Sequence, residues 1–420
     1  MFARFPQAVR AIFSEPTISW LMGSRPPRTE YRGREAIHKK FLHDILLFHS
    51  ITLSYFFLPV LHRPPQGLHC WFSLAVRPGI GMDIKRRQLL GLAAATAGTS
   101  LLAGCSGDKP EVAPDSRFPQ GPFGADSTAE EVTAGLDLSG RTALVTGCTS
   151  GLGYETMRVL ALRGAHVIGT GRTLDKAAEA CASVPGKTTP VALELADFDS
   201  AVNCARAVQE LGVGLDMLIC NAGINTFGAL ELVNGVEKIF VVNYLGHFVL
   251  VGQLLPMMLA AGSGRIVHVG SRSGYRQAPA VGIDFDNLRG EGVFDSGEAY
   301  GRSKLANALF SLVLAERLQG TGVSSNVVHP GLVHTDIART APAVVRIGFD
   351  LLGPLFAKTP AQGAATQVYV ATSPLLDGVN GAYFEDCNPV TVSGKHHMFD
   401  REMALRLWSQ AQEMTAGYAG

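Results

Sequence analysis

The sequence predicts an α/β fold, a single doubly wound domain on a parallel sheet. Three observations carry that expectation. From about Leu136 to the C-terminus, short β-branched runs alternate with longer amphipathic ones. The short runs are apolar at nearly every position, as in strands covered on both faces. The first of them ends in a glycine-rich turn that opens a helical pattern, which is how a strand–turn–helix unit of such a sheet begins.

Taken in order, RTALVTG (141–147), AHVIGT (165–170), PVALEL (190–195), LDMLIC (215–220), GRIVHVG (264–270) and VSSNVVHP (323–330) read as buried strands. GYETMRVLALRG (153–164) and SAVNCARAVQELG (200–212) carry the helical spacing between them. The chain has 420 residues, 36 basic and 36 acidic side chains and 47% hydrophobic residues. A neutral balance gives no electrostatic reason to expect nucleic acid as a partner. The seven cysteines form no CxxC pair and no disulfide-like ladder. His396 and His397 are adjacent, so their side chains point apart, and they read as a solvated loop, with no metal ligands in the chain. Cys148 reads as a small packing residue.

Three zones precede this domain, which spans 136–420. Residues 1–81 lack sustained periodicity. Their most apolar part, Ile45 to Leu61, is interrupted by His49, Ser50 and Pro59 and falls short of the ~20 apolar residues a spanning helix needs. This zone is either weakly ordered or untranslated, with translation starting at Met82; a membrane-anchoring domain on an intracellular enzyme is the third reading. Residues 82–105, MDIKRRQLLGLAAATAGTSLLAGC, resemble an export signal: paired Arg86 and Arg87, an apolar run, and small residues ahead of Cys105. They predict an exported protein, lipid-anchored at Cys105 on the periplasmic side, with a cytoplasmic location as the alternative. Residues 106–135 are rich in Pro, Gly and Asp and predict a flexible linker.

Chemistry collects at strand ends. TGCTSGLG (Thr146 to Gly153) places Gly147, Gly151 and Gly153 where a chain turns tightly, approaches a pyrophosphate and starts a helix. This spacing suits a Rossmann-type dinucleotide site, although a glycine-rich turn after a strand has a purely structural use as well. CNAGI follows the fourth strand, VVNYLGHF places Asn243 in a helix, and HVGSRSG puts Ser271 at the end of the fifth strand. YGRSK sets Tyr300 and Lys304 one helical turn apart, on one face.

These motifs, in this order, resemble the short-chain dehydrogenase/reductase family over about Leu136 to Thr415. VNYLGHF, DFDNLRGEGVFDSGEAYGRSKLANALF and GAYFEDC resemble its retinol-dehydrogenase-like branch. Cys220 replaces the first Asn of the family's NNAG, and Gly270 a common Ser; neither removes a reacting group. The resemblance implies an oxidoreductase moving a hydride between nicotinamide and an alcohol or carbonyl group of an apolar small molecule, retinoid-, steroid- or aldehyde-like. A homo-oligomer is implied by the resemblance only. Tyr300 becomes the acid/base, Ser271 binds the substrate oxygen, and Asn243 holds a water relaying protons from Lys304. An ammonium about 4 Å from the phenol is worth ~4 kcal/mol at an effective dielectric near 20, enough to lower a pKa near 10 by about three.

The resemblance also implies cofactor contacts. Gly147, Ser150, Gly151, Leu152 and Gly153 would hold the pyrophosphate, and Asn221, Ala222 and Gly223 would line the adjoining loop. Tyr300, Lys304, Pro330, Gly331, Val333 and Thr335 would flank the nicotinamide, with Thr335 on its carboxamide. Glu194 would cover the adenine edge. An NAD enzyme places an acid at the end of the second strand, whereas this chain has Gly171 and then Arg172, which favours NADP. The rival class is a non-catalytic NADP-binding sensor, which would need only the cofactor residues. Retention of Asn243, Ser271, Tyr300 and Lys304 argues against it. The insertion Gly282 to Glu298 is expected over the catalytic groups.

Overall fold

Nine strands form one sheet in the computed structural model, which describes residues 110–226, 228–333 and 357–418. In chain order they begin with β1 (Glu111–Pro114), β2 (Thr142–Val145), β3 (His166–Gly171), β4 (Thr188–Ala192) and β5 (Met217–Cys220). A ribbon of β6 (Leu232–Val233) and β7 (Val236–Glu237) stands apart. The sheet resumes with β8 (Gly264–Val269), β9 (Val323–His329), β10 (Tyr383–Glu385) and β11 (Asn388–Ser393). Neighbours run β1-β11-β10-β9-β8-β5-β2-β3-β4. From β10 to β4 every pairing is parallel; β11 and β1 close the other edge antiparallel. The doubly wound expectation holds. Strand order reverses between β2 and β5, and ligands of such sheets bind at the carboxyl ends beside that switch.

The helices are α1 (Ala129–Val132), α2 (Gly151–Leu162), α3 (Leu174–Ala182), α4 (Phe198–Glu210), α5 (Lys238–Ala261), α6 (Ser273–Arg276), α7 (Ser296–Arg317), α8 (Pro360–Thr372) and α9 (Arg401–Met414). Successive strand residues point to opposite faces, and two apolar cores follow. Ala143 and Val145 of β2 pack with Met157 of α2 and Val368 of α8, whereas Leu144 packs with Leu250 of α5 and Leu309 of α7. Among the described residues α5 alone is long and apolar enough to cross a membrane, but 72% of its apolar window is buried inside the protein. It is a core helix.

Two expectations need correction. The composition of 106–135 predicts a flexible linker, yet residues 110–135 are packed. Val112 of β1 sits opposite Val392 of β11, and Phe123 meets Tyr369 edge-on at 5.4 Å. Thr128 and Glu131 form a capping box at α1, whose Ala129 and Val132 are buried. The partner strand lies 282 residues away, beyond the reach of local composition. The second miss is the hairpin β10–β11. It turns through Asp386 (φ 50°) and Cys387 (φ 64°), a pair of left-handed residues that usually announces itself as Asn-Gly or Asp-Gly. PVALEL also ends earlier than expected: β4 stops at Ala192. The segment 82–105, Cys105 included, lies outside the described residues.

Candidate active site

The glycine turn after β2 is shaped by contacts a side chain would destroy. Gly147 (φ 73°) would place a Cβ 3.0 Å from that of Ala222, and Gly153 one 2.2 Å from the Gly147 carbonyl oxygen. Gly151 also has positive φ, 58°, where non-glycine residues are disfavoured. Ser150 is the N-cap of α2, but its side chain makes no capping hydrogen bond. The first N–H groups of α2 therefore remain available to an anion. Leu152 and Val333 meet over Gly363 of α8, where an added Cβ would lie 2.6 Å from each. This brings the phosphate turn beside the Pro330–Gly331 turn. The residues present fit a dinucleotide. Thr335 lies outside the described residues.

Thr146 joins this turn to the loop after β5. Its Oγ1 accepts from the N–H groups of Asn221 and Ala222, both at 2.9 Å, while Asn221 Nδ2 donates to the Thr146 carbonyl at 2.8 Å. With both lone pairs used, the Thr146 hydroxyl is left to donate to His247 Nε2, 3.0 Å away. Burial pushes His247 down to about 4, so the ring is neutral and its Nδ1–H faces the Asn243 carbonyl at 3.2 Å. Thr146 and His247 gave no signal of their own in the sequence.

Around the expected reacting centre the structure brings Asn243, Ser271, Tyr300 and Lys304 together. The Lys304 Nζ lies 5.6 Å from the centroid of the Tyr300 ring and donates to the Val269 carbonyl at 2.8 Å. A Cβ on Gly223 would touch both Asn243 Oδ1 (3.2 Å) and Lys304 Nζ (3.5 Å). The Ser271 hydroxyl donates to Ser273 Oγ at 3.2 Å and accepts from the Ser273 N–H at 3.1 Å. Two glycines allow this convergence. Gly301 of α7 faces the Gln277–Ala278 backbone, and Gly274 of α6 faces Lys304 and Leu305, so α6 and α7 pack backbone to backbone.

Asn243 lies in a π-helical turn, Val241–Leu245, and its side chain makes three hydrogen bonds. Oδ1 accepts from Ile224 N–H (2.8 Å), and Nδ2 donates to the Ile224 carbonyl (3.0 Å) and Ser303 Oγ (2.9 Å). That side chain clamps the Gly223 loop, and one lone pair of Oδ1 remains for a water. The Tyr300 phenol is not lowered in this state: burial pushes it up to about 12, against a smaller opposing effect of Ser271. Burial simultaneously pushes Lys304 down to about 8. Burial is the largest cause of both shifts.

At the other end of the cofactor site, Arg172 follows β3, is exposed, and has no hydrogen bond or ion pair among the described residues. A side chain on Gly171 would lie 2.8 Å from Thr149 Cγ2 and 3.0 Å from the Ala177 nitrogen. Any side chain at position 171, a carboxylate included, would need Thr149 and the Ala177 backbone to shift. Glu194 is half-buried beyond β4, and its Oε1 accepts from the Ala196 N–H at 3.1 Å, bracing its own loop. The insertion 282–298 docks through Asn287, whose carbonyl accepts from Arg302 of α7 at 3.2 Å. Arg302 also faces buried Glu237, 3.4 Å away. Cys148 is buried with its thiol on the Val145 carbonyl. His396 bonds the Val392 carbonyl, whereas His397 bonds Ala280 and Asp400. No group of three metal-ligating side chains occurs among the described residues.

Residues 141–283 match the family model for short chain dehydrogenase. Human retinol dehydrogenase 14 is 37% identical over 298 residues, 66% of this chain and 87% of that one. Mouse polyprenol dehydrogenase is 37% identical over 293 residues, covering 67% and 85%. A chloroplastic short-chain dehydrogenase of Brassica napus, TIC 32 B, is 38% identical over 300 residues, covering 68% and 92%. A crystal structure of an uncharacterized protein from Mycobacterium paratuberculosis superposes with a TM-score of 0.54 at 28% identity, covering 68% of this chain and 97% of that one.

Proposed function

Because the chain belongs to the short-chain dehydrogenase/reductase family, whose oxidoreductases bind NAD(P), we propose that it is NADP-dependent and interconverts an alcohol and a carbonyl on an apolar small molecule. One observation carries the reading. Ser271, Tyr300 and Lys304 converge beside Gly223 at the carboxyl ends of the sheet. A bound dinucleotide would supply or accept the hydride. The chain's own residues do the rest. Ser271 donates a hydrogen bond to the substrate oxygen, and Tyr300 gives that oxygen its proton in reduction or takes it in oxidation. A phenol near 12 is fully protonated at neutral pH, which suits the donor role. Lys304, held on the Val269 carbonyl, supplies the positive charge that stabilises developing phenolate. Asn243 and the Thr146–His247 pair are positioning residues that fix the Gly223 loop and its link to the phosphate turn.

NADP is supported by the exposed Arg172, unpaired among the described residues, and by the absence of a carboxylate at Gly171. An apolar substrate is supported by relatives named for retinol and polyprenol. Screening aldehydes, ketosteroids and retinoids with NADPH and NADH tests both. Export is a further part of the reading, supported by the Met82 to Cys105 pattern: a twin-arginine route carries folded, cofactor-loaded proteins, and NADP is made in the cytoplasm. Arg86→Lys with Arg87→Lys should strand the protein in the cytoplasm, and Cys105→Ala should free it from membranes. Wild-type fractionation of both variants would overturn export, and the mature N-terminus tests whether residues 1–81 are retained or removed.

A further inference from the structure

The motif GAYFEDC, at the end of β10, takes no direct part in the chemistry above. We propose that its acidic pair positions the two loops flanking the reacting centre: Glu385 holds the Ser271 loop through Arg272, and Asp386 holds the Pro330–Val333 loop through Lys358. The inference rests on the reading of Ser271 and Pro330–Val333 as substrate and cofactor loops.

Glu385 is 3% exposed, a costly place for a carboxylate unless it is paired and hydrogen-bonded. Three side chains converge on it. Arg272 Nε donates at 2.8 Å, Tyr275 Oη at 3.0 Å and Tyr383 Oη at 2.9 Å. Arg272 directly follows Ser271, so the pair fixes the backbone that aims the Ser271 hydroxyl. The same peptide is held from a second side, where the Arg272 N–H donates to His329 Nδ1 at 3.4 Å. Burial pushes His329 down to about 4, which keeps that nitrogen an acceptor at neutral pH. The register of the sheet makes this possible, since Glu385 of β10 is level with His329 of β9.

One residue further on, the chain turns and the second carboxylate points to a different loop. Asp386 Oδ1 lies 2.6 Å from Lys358 Nζ. The Lys358 N–H donates to the Leu332 carbonyl at 2.8 Å, and its stem covers Gly331, where an added Cβ would lie 2.7 Å from Cδ. The turn is itself anchored by the Cys387 N–H on Thr366 Oγ1 at 3.1 Å. Neither pair is fully buried, since Arg272 and Asp386 are partly exposed, and such ion pairs add little stability by themselves. Two adjacent carboxylates, each pinning one loop of the site, serve placement.

The test compares Glu385→Gln and Asp386→Asn, both isosteric, in the full chain. Calorimetric titration with NADPH reads the cofactor loop, and NADPH consumption with retinal and decanal reads turnover. Hydrogen exchange over 271–276 and 330–333 reads placement directly. Glu385→Gln should cut turnover about 10- to 100-fold, the loss expected from a misplacement approaching 1 Å, with NADPH affinity unchanged and exchange raised only over 271–276. Asp386→Asn should weaken NADPH binding about tenfold on losing one charge-assisted contact, with exchange raised only over 330–333. Arg272→Met should reproduce Glu385→Gln. Variants that move both loops alike, or lower thermal stability alone, would overturn the proposal. If wild type reduces neither carbonyl, the activity reading fails for these probes, while the binding and exchange arms still decide the positioning.

Discussion

Gly301 offers a perturbation whose effects on stability and on turnover should separate. It lies inside α7, one residue after Tyr300, and an alanine Cβ there would sit 2.4 Å from the Ala278 nitrogen and 2.5 Å from the Gln277 carbonyl carbon. Both are backbone atoms and cannot rotate away, so α7 must retreat from that segment by about 1 Å to reach ordinary contact distances. Overpacking of this kind costs about 1–3 kcal/mol. Alanine returns about 1 kcal/mol in helix propensity over glycine. The net loss is therefore about 0–2 kcal/mol, a fall of a few degrees in Tm for a domain of this size. Turnover responds differently, because the same retreat draws Tyr300 from Ser271. A misplacement of about 1 Å can cost about 10²-fold. Gly301→Ala should therefore lose about a hundredfold in kcat while melting close to wild type. Gly252→Ala in α5, where nothing lies within 4 Å of the added Cβ, is the control and should keep full turnover. Steady-state NADPH consumption and a melting curve suffice. Near wild-type turnover in Gly301→Ala would refute the close approach of α6 and α7 as the device that sets the site.

Tyr300→Phe should lose about 10²–10⁴-fold in turnover and bind NADPH as wild type does in a calorimetric titration. Lys304 is held down at about 8 by burial, so its ammonium is lost as pH rises through about 8, and the carbonyl-reduction rate should fall there. On the stability side the sign is opposite to a favourable pair: the folded-state pKa lies below the ordinary lysine value of 10.5. The buried charge therefore costs stability below about pH 8, and that cost is relieved as pH rises toward 10.5. Lys304→Met should abolish turnover without lowering the urea midpoint at pH 7. Arg172→Ala should reduce the preference for NADPH over NADH by about tenfold, the value of one exposed charge-assisted contact; an unchanged ratio of dissociation constants would place the phosphate elsewhere.

The long parallel core was legible because its strands are apolar at both faces: β2, β3 and β5 are buried throughout. The site motifs were legible because each sits at a strand end, where Gly147 and Gly153 are required by backbone contacts. What the sequence hid is what distance hides. β1 pairs with a strand at the far end of the chain, and the turn at Asp386–Cys387 has Cys where Gly is usual. Residue spacing shows Lys304 near Tyr300 but says nothing of burial, which pushes the phenol up to about 12. Gly171 was read as a missing acid; its packing against Thr149 and Ala177 makes it a glycine that no acid could replace without movement.

Hydride transfer itself is the central claim, and isotope transfer tests it most directly. NADPH deuterated at the nicotinamide C4 is mixed with enzyme and the panel of aldehydes, ketosteroids and retinoids, and the alcohol products are examined by mass spectrometry. Deuterium is expected on the carbinol carbon of an apolar product with wild type, appearing about 10²–10⁴-fold more slowly with Tyr300→Phe. NADPH binding without deuterium in any alcohol would contradict the claim and make this chain a cofactor-binding sensor on an oxidoreductase fold.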